Sequence, residues 1–253
     1  MNCSSSRWVT IFVSSYLNHF LQEFDMNAFI KVLIVVTSYN QLGDTGKPTG
    51  YYLPEVSHPY MVLEQAGFQV DIASPQGGKA PMDESSRDLS DSENKAFLSR
   101  PDLVQKIENT IPLSKVNAKD YKAIFFAGGH GTMWDFPQSA DLARIAGTIY
   151  DNSGVVAAVC HGPAALVNVK LANGRYLVDG KELTSFSNAE EAAIEMTTVM
   201  PFLLETALVA RGGRYTKAGL WQEKVVVSER LVTGQNPASA HAVGVEMVKL
   251  LSR

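Results

Sequence analysis

GVVAAVCHGPAAL, Gly154 to Leu166, runs an unbroken apolar stretch straight into a cysteine, a histidine, a glycine and a proline. An apolar run without alternation, here Val155 to Val159, is what a strand needs when helices cover both of its faces. Pro163 suits a first helical turn, where no backbone N–H is required, and Gly162 permits close backbone approach. The stretch therefore reads as a buried strand, a sharp corner and a helix.

The same grammar extends outward on both sides. KVLIVVTS (31–38) is a strand-length apolar run, and TGYYLPEVSHPYMVLEQAGF (49–68) is a helix starting near Pro54 and stopped by Gly67. QVDIAS (69–74) is a second strand, and SENKAFLSRPDLVQKIENT (92–110) has helical periodicity. YKAIFFAGGHG (121–131) is a third buried strand ending in a glycine turn, and SADLARIAGTIYDNSG (139–154) is an amphipathic helix closed by Gly154. Beyond the corner come a short helix, a second helix through MPFLLETALVARGG, two short strands in KVVVSERLVTG and a closing helix in NPASAHAVGVEMVKLL. Strands alternating with helices predict an α/β fold: a doubly wound, mostly parallel sheet with helices on both faces. No repeat or linker interrupts it, so residues 28–253 are expected to form a single domain.

Composition narrows the functional classes. With 253 residues, 45% of them hydrophobic, the chain buries a substantial core. A formal charge of -4 and the lack of any basic run argue against a nucleic-acid partner. No apolar run approaches the roughly 18 residues of a membrane span. Two cysteines, Cys3 and Cys160, make no disulfide framework, so a reducing compartment, the cytoplasm, is the expectation. Residues 1–27 read as an extension of unclear status, with aromatics at Trp8, Phe12, Tyr16, Phe20 and Phe24. That spacing fits an amphipathic docking helix, a weak secretory signal or a segment appended ahead of a functional start at Met26.

In open α/β sheets the functional crevice lies at the carboxyl ends of the strands. TSYN (37–40), GGHG (128–131) and CHGP (160–163) sit at such ends and should converge. The corner has the mechanics of a nucleophile elbow, which lifts the Cys160 side chain out of the sheet. A thiol at a helix N-terminus is expected to have a lowered pKa, with the His161 N–H directed at charge developing beside the sulfur. A lone cysteine at a strand end is often only a small buried apolar residue. The neighbouring His161, Gly162, Pro163 and GGHG favour chemistry instead. His130 suits turn and pocket-wall duty, and His58, ahead of Pro59 in its helix, is expected to pack near Glu55. The five histidines show no metal-ligand spacing, so no metal is expected.

AVCHGPAAL, FFAGGHGTMWDFP, LVTGQNPASA and PEVSHP together resemble the ThiJ/PfpI superfamily, and within it the heat-shock glyoxalase III branch. The likeness runs from about Lys31 to the C-terminus and leaves residues 1–27 without a counterpart. It implies the flavodoxin-like three-layer sandwich, with Cys160 as nucleophile and His161 as its general base and acid. The third member is an acid after the elbow; of the adjacent Glu190 and Glu191, spacing from Phe186 favours Glu191, leaving Glu190 an ordinary solvated residue, and the two assignments remain interchangeable at this level. Glu55 corresponds to the family's acid beside the sulfur, with a raised pKa, and the amides of Gly129 and His161 correspond to the oxyanion hole. The resemblance implies a cofactor-independent glyoxalase that turns methylglyoxal, a small aldehyde, into lactate through a Cys160 hemithioacetal, and a homodimer by analogy. The same thiol also suits a protein deglycase or a cysteine peptidase, and a holdase chaperone or redox sensor is the non-enzymatic rival. An amidotransferase fits poorly, because its histidine lies far downstream of the cysteine.

Overall fold

The computed structural model describes residues 30–253. The extension at residues 1–27 and Cys3, with every reading attached to them, lies outside the described residues. The strands are β1 (Lys31–Val35), β2 (Gln69–Ser74), β3 (Ile111–Pro112), β4 (Ala123–Phe126), β5 (Val155–Val159), β6 (Glu182–Leu183), β7 (Arg214–Tyr215), β8 (Val225–Ser228) and β9 (Leu231–Gly234). The helices are α1 (Pro54–Gln65), α2 (Ser92–Ser99), α3 (Pro101–Glu108), α4 (Thr132–Asp135), α5 (Ala140–Asp151), α6 (Asn188–Ala193), α7 (Leu204–Ala210) and α8 (Ala240–Leu251).

The main sheet has the order β3-β2-β1-β4-β5-β9-β8 and is parallel except for β8, which pairs antiparallel with β9. Within it β2-β1-β4-β5-β9 is the flavodoxin-like order, with one short strand added at each edge. The small pair β6 and β7 stands apart.

Period-two alternation along each strand divides the core in two. Leu33, Val35, Ile124, Phe126, Val156 and Ala158 pack under α5 and α7, with Leu142, Ile145, Ile149 and Leu208. Val32, Ile34, Ala123, Phe125, Val155 and Ala157 face the other way, onto Val56, Leu63, Phe97, Leu103, Val243 and Met247 of α1, α2, α3 and α8. All of these side chains are buried, which is why the central strands read as unbroken apolar runs. The doubly wound α/β expectation therefore holds. The polar periodic stretch at 92–110 is two helices rather than one, because Pro101 lacks the N–H that would continue the first and instead starts the second. Among the described residues, no helix is long and apolar enough to cross a membrane.

The chain order reverses between β1 and β4, which opens the crevice beyond the carboxyl ends of the strands. The expected convergence of the three loops takes place there. Asp135 accepts hydrogen bonds from the Thr37 hydroxyl at 2.9 Å and the Ser38 amide at 2.7 Å, which ties the β1 loop to the β4 loop. The Thr132 hydroxyl sits between the carbonyls of Gly129 and His161, at 2.9 and 3.1 Å, and so ties the β4 loop to the corner after β5.

Candidate active site

Cys160 occupies the left-handed region, with φ of 59°. An L residue other than glycine holds that conformation only where its surroundings over-determine it. Here its N–H donates to the Gly234 carbonyl at 3.0 Å and its carbonyl accepts from the Phe186 amide at 2.8 Å. The next residue but one is glycine for a steric reason, since a Cβ at Gly162 would collide with the Phe126 carbonyl. These restraints make the strained elbow that the corner predicts.

The sulfur faces the imidazole of its own neighbour, with Cys160 Sγ 3.3 Å from His161 Nδ1. The far nitrogen of that ring, Nε2, lies 2.8 Å from Glu191 Oε2. Phe186 lies tilted against the ring at 4.4 Å between centroids, and His130 flanks it at the same separation. A carboxylate at Nε2 favours the tautomer with the proton on Nε2, which leaves Nδ1 free to accept the thiol proton. The site is closed in: Cys160 is 4%, His161 1% and Glu191 3% exposed.

Glu55, in the first turn of α1, is fully buried, and its carboxyl contacts the Cys160 thiol. Its Oε2 accepts from the Gly128 amide at 2.7 Å, whereas Oε1 is buried without a partner. Burial pushes the Glu55 carboxyl up to about 8, against the opposing hydrogen bonds from the thiol and Gly128. It is therefore neutral at pH 7, as the family resemblance implies.

The expectation of a lowered thiol pKa is corrected. Burial pushes the Cys160 thiol up, and the Glu55 carboxyl reinforces the shift, while the His161 backbone N–H opposes it. The corner leads into a single 3-10 turn, Gly162–Leu166, so the aligned peptide dipoles of a long helix are missing. Burial also lowers the His161 pKa, assisted by His130 and opposed by Glu191. Burial pushes the Glu191 carboxyl up, but the adjacent His130 and His161 side chains outweigh it and hold the carboxyl at about 2.

Glu190 is also corrected, because it is not solvated. It caps α6 in a capping box, with Oε2 accepting from the Ser187 amide at 3.0 Å and the Ser187 hydroxyl at 2.8 Å. Its Oε1 accepts from the Trp221 amide, Gln235 Nε2 and Asn236 Nδ2 at 2.9–3.1 Å. Glu190 thus pins the GQN turn to the loop carrying Trp221, while Glu191 faces the histidine. His58 lies in the same helix as Glu55, but its ring bonds Asp91 at 2.9 Å rather than serving the thiol. Gly129 has φ of 99°, a Cβ there would strike the Gly50 carbonyl, and its amide makes no hydrogen bond among the described residues.

His130 is more than a turn residue. Its Nε2 lies 3.5 Å from Glu191 Oε1, and neither atom has a well-formed hydrogen bond. Donor atoms of His130, His161 and Glu191 lie within 4.8 Å of one another, a grouping in space that the linear spacing of the histidines does not show. They come from the turn after β4, the corner after β5 and helix α6. The Phe186 contact with the imidazole and the Glu190 hub were also missed. The signal for the hub was present as Ser187 followed three residues later by Glu190, a capping-box pattern.

Comparison with known proteins gives a consistent result. A family model described as DJ-1/PfpI matches residues 49–250. A Saccharomyces cerevisiae protein named glutathione-independent glyoxalase is 36% identical over 238 residues, covering 87% of this chain and 98% of its own length. The crystal structure of glyoxalase III from Candida albicans superposes with a TM-score of 0.82 at 32% identity, covering 88% of this chain and 98% of that one. The Rapid Encystment Protein of 24 kDa from Francisella tularensis superposes at 0.85 with 41% identity, covering 88% and 99%.

Proposed function

The chain belongs to the DJ-1/PfpI family, and from that premise we propose that it is a glutathione-independent glyoxalase converting methylglyoxal and water to lactate. The observation that carries this reading is one imidazole standing between a thiol at 3.3 Å and a carboxylate at 2.8 Å. The names of the yeast and Candida relatives support the same activity.

In this reading Cys160 Sγ bonds to the aldehyde carbon while His161 Nδ1 takes the thiol proton. The carbonyl oxygen, held by the amides of Gly129 and His161, then receives a proton to give the hemithioacetal. His161, with Glu55 as partner, removes the hydrogen from that carbon to form an enediol, and a proton returns to the neighbouring carbon. The first carbon is thereby oxidised and the second reduced, leaving a thioester that water cleaves to lactate and free thiol. No external electron acceptor enters the balance. Glu191 keeps the imidazole in its working tautomer and stabilises its protonated form, and His130 forms part of the pocket wall.

The enclosure of Cys160, 4% exposed, favours a small aldehyde over a polypeptide strand, which needs an open cleft. The reading also carries a single domain over residues 28–253, a homodimer by family analogy and a cytoplasmic site of action. The deciding experiment measures lactate formed from methylglyoxal by purified protein without added thiol. Wild type forms lactate and Cys160→Ala forms none; equal turnover by the two proteins removes the proposal.

A further inference from the structure

Beside the thiol, the crevice holds a second constellation whose atoms are only partly satisfied. Glu191 Oε1 and His130 Nε2 are both buried and lack a well-formed hydrogen bond, and they face each other at 3.5 Å. The other carboxylate oxygen lies 2.8 Å from His161 Nε2. Two imidazoles and one carboxylate with open positions beyond them make the donor set of a mononuclear transition-metal site. A tetrahedral ion with bonds of about 2.0–2.1 Å requires its ligand atoms to stand about 3.3 Å apart. His161 Nε2 lies 2.8 Å from one carboxylate oxygen and His130 Nε2 lies 3.5 Å from the other, and one donor atom from each of the three residues lies within 4.8 Å of the others, so side-chain rotations that draw the set together complete the site.

We propose that His130, His161 and Glu191 form a binding site for a borderline divalent transition cation of the zinc type, and that its occupation switches the thiol chemistry off. The site stands on geometry alone; its effect on turnover rests on the function proposed above. Coordination uses the lone pair of a neutral imidazole. To offer Nε2 to a metal, His161 must move its single ring proton from Nε2 to Nδ1. Nδ1–H then points at the sulfur 3.3 Å away and can only donate, so the base that accepts the thiol proton is lost. The ion also takes the carboxylate that orients the ring. Nothing is oxidised or reduced, and no bond to carbon changes. A chelator reverses the block.

Glu191, 3% exposed, anchors the site from below, while the His130 side chain, 19% exposed, forms its solvent edge. The protein thus offers the ion an entry path from the crevice mouth. Cys160 sits on the opposite side of the His161 ring and is not among the ligands.

Zn2+ is the probe. Titration calorimetry on the full chain is expected to give one site in wild type and in Cys160→Ala, with affinity at least about tenfold weaker in His130→Asn and in Glu191→Gln. Zinc K-edge absorption on the wild-type complex is expected to show nitrogen and oxygen neighbours only. Turnover should fall in step with occupancy and return with a chelator. Each of four results overturns the proposal: no binding to wild type, undiminished affinity in His130→Asn, loss of the site in Cys160→Ala, or a sulfur neighbour at about 2.3 Å. Stoichiometric binding with unchanged turnover overturns the switch. An absence of lactate formation leaves the binding arms intact and counts against the glyoxalase reading alone.

Discussion

Replacing Glu55 with glutamine should stabilise the protein in alkali while damaging its chemistry. Glu55 is fully buried and neutral at pH 7, its pKa raised by burial from 4.5 to about 8. A group whose folded pKa lies above its unfolded one contributes stability in full below the unfolded value. It loses that contribution as pH rises toward the folded value. The window here runs from 4.5 to about 8. At about 1.4 kcal/mol per pH unit, wild type loses about 5 kcal/mol from this residue across the window, as an upper bound. Glutamine keeps an oxygen for the Gly128 amide and has no proton to lose, so the variant escapes the penalty. Urea unfolding of both proteins at pH 5 and pH 8.5 isolates the effect, because every other titrating group cancels in the difference. Glu55→Gln is expected to gain several kcal/mol relative to wild type between the two pH values, with lactate formation falling sharply. A difference that stays constant with pH, or that grows in favour of wild type, would mean that the carboxyl is not held neutral beside the sulfur.

Other perturbations separate the remaining roles. Glu190→Ala should cost about 3 kcal/mol or more, because five donors lose a buried acceptor, whereas Glu191→Ala should fold, melt near wild type and form little lactate; thermal melts and turnover assays check the pair. The pH profile of kcat/KM should be a bell, its acid limb below 6.5 from His161 and its alkaline limb near 8 from Glu55. Gly162→Ala should destabilise by at least about 1–3 kcal/mol, seen in denaturant midpoints, because its Cβ meets the Phe126 carbonyl rather than a mobile side chain.

How much of this was legible follows from where each signal resides. The buried strands and their helices announce themselves locally, since the all-apolar runs 32–36, 123–127 and 155–159 need cover on both faces. The elbow was legible for the same reason: strand, Cys160, Gly162 and Pro163 are contiguous. The Cys160 pKa was misread because helix-end reasoning counts the dipole and omits burial, and here the following turn is short while the enclosure is nearly complete. Glu190 and Glu191 differ only through partners far along the chain, Gln235 and Asn236 for one and His161 for the other. The trio of His130, His161 and Glu191 is hidden in the same way, its members meeting only when the sheet assembles.

The charges of the site have a single consequence for its chemistry. At neutral pH Glu191 is ionised, Glu55 carries its proton, and burial keeps both the Cys160 thiol and the His161 imidazole in their neutral forms. A separated thiolate and imidazolium would be costly in so enclosed a place, except that Glu191 stands 2.8 Å from the ring that becomes positive. In the proposed mechanism, charge separation is therefore favoured only while a carbonyl carbon is present to take up the sulfur's electron pair, and proton transfer to Nδ1 then accompanies carbon–sulfur bond formation. A thiol activated in this way is reactive toward a bound aldehyde and poorly reactive toward peroxide, because oxidation follows thiolate content and exposure and this sulfur is short of both. The same burial that overturns the expected low pKa thus weighs against the redox-sensor reading and for an enzyme that ionises its cysteine only in the act of catalysis.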